Sequence, residues 1–111
     1  MTIYKILRAD EWAALREAGA TDGAPVDLAD GYVHFSTAAQ ARETARKHFS
    51  GAEGLMLVAV DEGRLDDLRW EPSRGGDLFP HLYGPLPLAA VEWAQPLPLE
   101  DGAHRFPEGF D

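Results

Sequence analysis

Apolar and polar positions at the start of the chain predict a strand followed by a helix. Residues 3–8 are rich in β-branched and aromatic side chains, which predicts a first strand. Apolar residues then recur every three positions, which places them on one buried face of a helix. Asp10 is predicted to cap the N-terminus of this helix, and Gly19 is predicted to end it in a left-handed conformation.

A second strand is predicted to begin at Tyr32, where the side chains alternate in character. Val33 and Phe35 are apolar and are expected to face the core. Tyr32, His34 and Ser36 then share the opposite face of the strand. The alternation therefore places one imidazole beside two hydroxyl groups.

The segments around this strand predict a loop, a second helix and a buried strand. Residues 20–30 are rich in Asp, Gly and Pro and predict a loop long enough to cover a pocket. Residues 38–49 predict a helix with an apolar stripe, and Ser36 or Thr37 is its expected cap. The continuous apolar run at 55–60 predicts a central strand that is buried on both faces.

Short strands and connecting segments account for the rest of the chain. Residues 69–71 and 89–94 are predicted to be strands, and residues 98–111 form a wrapping or loosely ordered tail. Two early helices among several short strands predict an α+β fold. The length predicts one domain that covers residues 1–111.

The composition excludes several classes of function. Nineteen acidic residues against ten basic ones give a formal charge of −9, which disfavours binding along an extended nucleic acid. The chain has no cysteine, so disulfides, thiolate metal sites and a cysteine nucleophile are excluded. The N-terminus lacks the apolar core of a signal peptide, and no apolar run is long enough to cross a membrane. A cytoplasmic protein without membrane contact is expected.

The segment from Arg69 to Pro85 concentrates reactive side chains where prolines prevent a helix. It is predicted to form a sharply shaped polar loop that leads into a short extended segment. Arg74 is a planar cation suited to a phosphate or carboxylate, although a neighbouring acidic side chain is an alternative partner. Gly75 and Gly76 allow backbone N–H groups to approach a ligand, and Glu71 is a further candidate for ligand binding.

Two histidines, His34 and His81, are the candidate catalytic residues, together with Tyr83. Each histidine has a hydroxyl two residues later, Ser36 or Tyr83, so each segment directs an imidazole and a hydroxyl to one side. Imidazole titrates near neutral pH and can donate or accept a proton. Ser36 and Thr37 are candidates for ligand binding. A purely structural role for each residue is the alternative. No metal is expected, because no histidine pair has helical spacing and no thiolate exists.

Four motifs resemble a bacterial family known as domain of unknown function 952. They are Asp-Gly-Tyr-Val-His-Phe-Ser-Thr at 30–37, Glu-Thr-Ala at 43–45, Leu-Arg-Trp-Glu at 68–71 and Arg-Gly-Gly-Asp-Leu-Phe-Pro-His-Leu-Tyr-Gly at 74–84. The resemblance implies a small relative of the ADP-ribosyltransferase superfamily, which includes the RNA 2′-phosphotransferases. That fold is a split, two-sheet α+β structure with an NAD-binding cleft between the sheets.

The resemblance also implies roles for individual residues. His34, followed by Ser36 and Thr37, is similar to the position that holds the nicotinamide ribose in that superfamily. Many transferring members use a glutamate late in the chain. Glu92 is the only acid inside a late predicted strand, and its surroundings do not match a catalytic-glutamate loop. Candidates for the tyrosine or histidine in the middle of the fold are Arg74, His81 and Tyr83.

Three hypotheses about function remain open. The first is a small transferase that acts on NAD or a phosphorylated ribose, with His34 on the ribose hydroxyls and Arg74 on the phosphate. The second is a noncatalytic binding or interaction module on the same fold, as the missing glutamate environment and lack of a strong nucleophile suggest. The third is a two-histidine phosphoesterase, whose His-x-Ser/Thr pattern fits His34-Phe35-Ser36 but not His81-Leu82-Tyr83. The expected partner is a small nucleotide-like or phosphorylated molecule, with NAD as the candidate cofactor.

Overall fold

Short strands and three helices make up the part of the chain that the structure describes. The computed structural model describes residues 1–110, apart from the side chain of Arg74. Within that part the helices are α1 (Ala9–Ala18), α2 (Pro25–Asp30) and α3 (Ala38–His48). The strands are β1 (Thr2–Arg8), β2 (Ala20–Thr21), β3 (Val33–His34), β4 (Leu55–Asp61), β5 (Leu68–Ser73), β6 (Asp77–Leu82), β7 (Leu86–Pro87), β8 (Val91–Leu97), β9 (Leu99–Glu100) and β10 (Ala103–His104).

The first sheet has the strand order β1-β4-β8 and is antiparallel throughout. Its central strand, β4, carries Leu57 and Val58, whose side chains are fully buried. A strand can be apolar on both sides only where both faces of the sheet are covered. The prediction of a buried central strand from the apolar run at 55–60 is therefore confirmed.

The second sheet has the order β3-β6-β5 and is also antiparallel. β5 and β6 form a hairpin, so the strand predicted at residues 69–71 and the extended segment predicted later in 69–85 are confirmed. The polar loop predicted between them is wrong, because the chain there continues in β5 and turns tightly into β6. The prolines are compatible with the hairpin because of where they lie. Pro72 is in the edge strand β5, where proline is tolerated. Pro80 belongs to β6 and lies one position past the residues that pair with β3. Its carbonyl still accepts a hydrogen bond from the N–H of Phe35 at 3.0 Å.

The first helix, α1, begins directly at the end of β1. Its cap is Arg8, whose N–H donates to Oε1 of Glu11 at 2.8 Å. The predicted cap at Asp10 is wrong because β1 keeps the chain extended as far as Arg8, which leaves Asp10 inside the first turn. Gly19 ends the helix with φ 82°, as predicted.

The third helix, α3, follows the sequence pattern closely. Thr37 is its cap, and its Oγ1 accepts a hydrogen bond from the N–H of Gln40 at 3.2 Å. The side chain of Gln40 accepts in return from the N–H of Thr37 at 3.0 Å, which completes a capping box. Ala41 and Ala45 are buried against the first sheet, as the apolar stripe predicts.

The segment at 20–30 contains a helix, α2, that the loop prediction missed. Pro25 occupies the first turn, and Gly31 follows the last residue with φ 87°. Six residues are too few to show a 3.6-residue periodicity, so composition alone suggested a loop. Asp27 points into the protein, whereas Leu28 remains exposed. The early part of the chain therefore has three helices, not the two that were predicted.

Two clusters of buried apolar side chains stabilise the fold. One joins α1, the first sheet and the second sheet, and includes Leu15 and Val33. The other lies between α3 and the first sheet and receives Phe106 and Phe110 from the C-terminal segment. The guanidinium of Arg42 lies 4.8 Å from the centre of the Phe106 ring. The tail therefore wraps onto α3.

The described architecture confirms an α+β class in its coarse form: small antiparallel sheets with helices grouped early in the chain. Within residues 1–110, none of the helices has both the length and the apolar character that a bilayer crossing requires.

Candidate functional site

One face of the second sheet carries the candidate catalytic residues. His34 of β3 lies directly opposite His81 of β6, and His81 lies directly opposite Arg69 of β5. Residues paired in this way across strands point to the same face. Leu82, one position along β6, points to the other face and is buried in the core. The register therefore brings the two histidines together, with 5.5 Å between their ring centres.

His34 is held between two carboxylates of α2. Its Nδ1 lies 2.6 Å from Oδ1 of Asp27, and its backbone N–H donates to the same oxygen at 3.0 Å. Its Nε2 lies 3.0 Å from Oδ2 of Asp30. The side chain of Asp27 is fully buried, whereas that of Asp30 is 46% exposed. The contact with Asp30 is therefore the one that a ligand can replace.

Asp27 also holds a buried lysine. Its Oδ2 lies 2.8 Å from Nζ of Lys5 and accepts a hydrogen bond from the N–H of Ala24 at 2.7 Å. Burial by itself raises the pKa of the Asp27 carboxyl, but hydrogen bonds from His34 and the charge of Lys5 outweigh it and lower the pKa to about 2. Asp27 is thus an ionised buried carboxylate that ties α2 to β1 and β3.

His81 has a different carboxylate partner. Its Nδ1 lies 2.8 Å from Oε1 of Glu71, and the same oxygen accepts a hydrogen bond from the phenol of Tyr83 at 2.6 Å. The hydrogen bonds from Tyr83 and His81 lower the pKa of Glu71, and the hydrogen bond to Glu71 raises the pKa of Tyr83. Arg69 covers the Tyr83 ring at 4.6 Å from its centre. Cross-strand neighbours thus fix the orientation of the buried His81 ring.

Tyr32 joins the two histidines into one aromatic cluster. Its ring stacks on His81 at 4.1 Å and lies 4.6 Å from His34 and 5.2 Å from Tyr83, measured between ring centres. Burial raises the pKa of Tyr32, and the charges of Asp30 and Glu71 raise it further.

A cleft of about 300 Å³ opens beside this cluster, at the lower end of the usual size of ligand pockets. Its walls come from α2, from the start of β3 and from the end of β6. The residues that line it are Asp22, Asp27, Leu28, Gly31, Tyr32, Val33, Leu82, Tyr83 and Gly84.

Comparison with known proteins identifies the family of this chain. The family model "Protein of unknown function (DUF952)" matches residues 6–94. The chain belongs to the DUF952 family. The crystal structure of protein CC0527 from Caulobacter crescentus is similar, with 48% identity over 95% of this chain and 94% of that chain and a TM-score of 0.89. The solution NMR structure of CC0527 has 47% identity over 93% and 90%, with a TM-score of 0.82. Among the curated proteins, none matches.

Two of the predicted ligand-binding residues of this DUF952 protein lie apart from the histidines. The hydroxyl of Ser36 lies 2.9 Å from Oγ1 of Thr44 in α3, because the chain leaves β3 after His34 and pairs with Tyr4 instead. The hydroxyl of Thr37 caps α3. The expectation that Ser36 shares a face with His34 is therefore wrong.

The hairpin turn of this DUF952 protein also lies away from the histidines. Gly75 and Gly76 have φ values of 71° and 89° and form the turn between β5 and β6. Asp77, the first residue of β6, is four positions from His81, which corresponds to roughly 13 Å of strand. Gly75 lines a separate cavity beside α3. The predicted Arg74 side chain lies outside the described residues.

The late acid Glu92 lies on the first sheet, away from the two histidines. Glu92 lies on β8 of the first sheet, where its carboxylate accepts a hydrogen bond from the hydroxyl of Thr2 at 2.6 Å. Among the described residues, no group of three or more His, Cys, Asp or Glu side chains is arranged to hold a metal ion. The described carboxylates that contact the histidines are instead Asp27, Asp30 and Glu71.

Sequence reasoning missed the residues that orient His34. Asp27 and Asp30 lie in a segment whose composition predicts a loop, and the position of Lys5 predicts a strand residue without a role at the site. The one available signal was Pro25 with Gly31 six residues later, a proline just inside a helix and a glycine just beyond it. A helix between them would place Asp27 and Asp30, three positions apart, on one face just before the strand of His34.

Proposed function

We propose that this DUF952 protein binds a nucleotide- or NAD-type ligand in the cleft beside Tyr32 and Tyr83, and acts there as a small transferase on NAD or a phosphorylated ribose. The observation that carries the proposal is the convergence of His34 and His81 on one sheet face, each with a carboxylate on Nδ1. Histidines oriented in this way occur at sites that hold hydroxyl groups or transfer protons. The resemblance of the sequence motifs to the ADP-ribosyltransferase superfamily suggests this class of ligand, but a fold analogy does not by itself supply the reaction.

The chemistry of the side chains suits a ribose with a planar base. Tyr32 and Tyr83 offer aromatic surface on the cleft wall, and planar rings stack favourably on such surface. The exposed Asp30 carboxylate occupies a ring nitrogen of His34 that a ribose hydroxyl would otherwise contact. In this proposal His34 therefore binds the ribose hydroxyls, and the base packs against the tyrosines.

His81 contributes the second polar contact. Its side chain is 5% exposed, and none of the described residues hydrogen-bonds to its Nε2. A buried polar atom without a partner destabilises a protein by about 1–3 kcal/mol, so such atoms are uncommon without a reason. Contact with a ligand hydroxyl supplies that reason.

A noncatalytic binding module is the second candidate. Glu92, the late strand acid, lies on the other sheet and bonds to Thr2, so it does not supply a carboxylate to the histidines. If ADP-ribosyl transfer requires a late glutamate beside the histidines, this protein would bind its ligand without turnover.

Thermal denaturation with NAD⁺, ADP-ribose or ribose 5-phosphate at millimolar concentration tests the binding proposal. A ligand at about 100 times its Kd adds about 2.7 kcal/mol to the free energy of unfolding. We expect a rise of several degrees in Tm for the wild-type protein and for Glu92→Gln. We expect a smaller rise for His34→Gln and His81→Gln, with folding verified by circular dichroism.

Release of nicotinamide from NAD⁺, measured by chromatography, separates the two candidates. Release that depends on His34 and His81 supports a transferase, whereas a Tm shift without release supports a binding module. Absence of any Tm shift with a folded wild-type protein would contradict both.

A further inference from the structure

The two histidines of the cluster lie in different electrostatic surroundings although they face each other. The described groups around His34 are Asp27 and Asp30 of α2 and the ring of Tyr32, and Asp27 is also paired with Lys5 of β1. Those around His81 are Glu71 of β5 and the rings of Tyr32 and Tyr83, with Arg69 on the outer side of Tyr83. One imidazole thus meets two carboxylates, and the other meets one.

Both ring nitrogens of His34 face a carboxylate. An ionised carboxylate accepts hydrogen bonds but has none to give. The Nδ1 contact with Asp27 at 2.6 Å and the Nε2 contact with Asp30 at 3.0 Å are therefore both hydrogen bonds only when each nitrogen carries a proton. The buried Asp27 fixes the ring, and the half-exposed Asp30 contacts the second nitrogen where solvent reaches it.

Only one ring nitrogen of His81 faces a carboxylate. Its Nδ1 lies 2.8 Å from Oε1 of Glu71, and this contact is a hydrogen bond only when Nδ1 carries the proton, because an ionised carboxylate can only accept. In a neutral ring, Nε2 is then a bare acceptor. The side chain is 5% exposed and stacks on Tyr32, so little bulk solvent reaches the ring.

We propose that the two histidines have fixed and opposite proton roles: His34 is the hydrogen-bond donor and His81 is the acceptor. A ligand hydroxyl in reach of both Nε2 atoms would then donate to His81 and, once Asp30 is displaced, accept from His34. These donor and acceptor roles belong to the protein without ligand. That they act on a ribose hydroxyl rests on the proposed function. Glu71 and Asp30 act as positioning residues, because each controls a histidine and not the ligand directly.

Nitrogen-15 NMR of the imidazole rings near neutral pH tests the roles without any ligand. The long-range spectrum separates doubly protonated rings from each neutral tautomer. The protein has four histidines, and His→Gln variants at His48 and His104 identify the other two signals. We expect His34 to show two protonated nitrogens and His81 to show protonated Nδ1 with bare Nε2.

Two matched variants make the test specific. Glu71→Gln should change the signals of His81 and leave those of His34, whereas Asp30→Asn should change the signals of His34 and leave those of His81. Both residues are partly exposed, so both variants are expected to fold. The inference is overturned if the two rings show the same protonation state, or if either variant alters both rings equally. Failure of ligand binding in the thermal assay, with these spectra as expected, would contradict the proposed function and leave the proton roles in place.

Discussion

Replacing Asp27 with asparagine keeps the shape of the side chain and removes its charge. In the folded protein the carboxylate receives four hydrogen bonds or ion-pair contacts, at 2.6–3.0 Å, from Lys5, from Ala24 and from both the backbone and the ring of His34. Its side chain is fully buried, and that of Lys5 is 7% exposed. The substitution therefore leaves a lysine ammonium buried without its counter-charge.

Asp27→Asn is expected to lower the free energy of unfolding by a large amount for the replacement of one polar atom. Removing one partner of a buried ion pair destabilises a protein by about 3–5 kcal/mol. For a domain of about 100 residues this lowers Tm by roughly 12–20 °C. The lowering of the Asp27 pKa from 3.8 to about 2 corresponds to about 2 kcal/mol for the loss of the charge alone. Asp27→Asn is therefore expected to lower the free energy of unfolding by at least about 2 kcal/mol.

Urea denaturation followed by circular dichroism measures the free energy of unfolding of each variant. Asp30→Asn is the matched control, because Asp30 contacts the same imidazole from a half-exposed position and should cost less than about 1 kcal/mol. Lys5→Met in the Asp27→Asn background should recover at least about 1 kcal/mol, because the unpaired ammonium is removed. The reasoning is refuted if Asp27→Asn and Asp30→Asn cost the same, or if Lys5→Met gives no recovery.

Three further predictions concern stability. The folded pKa of Asp27 lies below its unfolded value of 3.8, so its stabilisation is present above about pH 4 and is lost as pH falls towards about 2. Urea denaturation across this range should show a loss of about 2 kcal/mol in the wild type but not in Asp27→Asn. Thr37→Ala removes the cap of α3 and should cost about 1 kcal/mol, with Thr37→Ser nearly neutral; equal stability of all three proteins would contradict the capping role. Phe106→Ala should cost about 3–5 kcal/mol by thermal denaturation, against less than about 1.5 kcal/mol for Phe106→Leu, and a smaller loss for alanine would mean that the tail contributes little to the core.

Elements with strong local signals were predictable from the sequence. The helix after Thr37 has a capping residue and small apolar residues four positions apart, Ala41 and Ala45, and both signals act over about one helical turn. The strand at residues 55–60 is apolar at every position, which only burial on both faces explains. In these segments the local pattern and the tertiary packing favour the same structure.

The hairpin and α2 were missed because their signals are weak or ambiguous within short windows. Prolines argue against regular structure, but Pro72 and Pro80 lie where a strand tolerates them. α2 has six residues, and its stability comes from Asp27, whose partners lie on β1 and β3. Contacts between residues so distant in the chain leave no periodic pattern.

The candidate site was predictable in part for the same reason. His34 and His81 were identified from their residue types and local spacing, and the register of β3 with β6 places them opposite each other. Their carboxylate partners depend on how α2 and β5 pack beside them. Glu71 reaches His81 because it lies two residues from Arg69, which is paired with His81 across the hairpin.

A ligand titration followed by ¹H–¹⁵N NMR tests most directly whether the cleft beside the histidines binds a nucleotide. With NAD⁺ added in steps, we expect saturable shifts in the backbone signals of residues 22–34 and 69–84, and little change on β8 around Glu92. Those signals should shift less in His81→Gln at the same concentrations. Shifts confined to residues 39–47 beside the separate cavity, or no saturable shift in the folded protein at millimolar NAD⁺, would contradict the account.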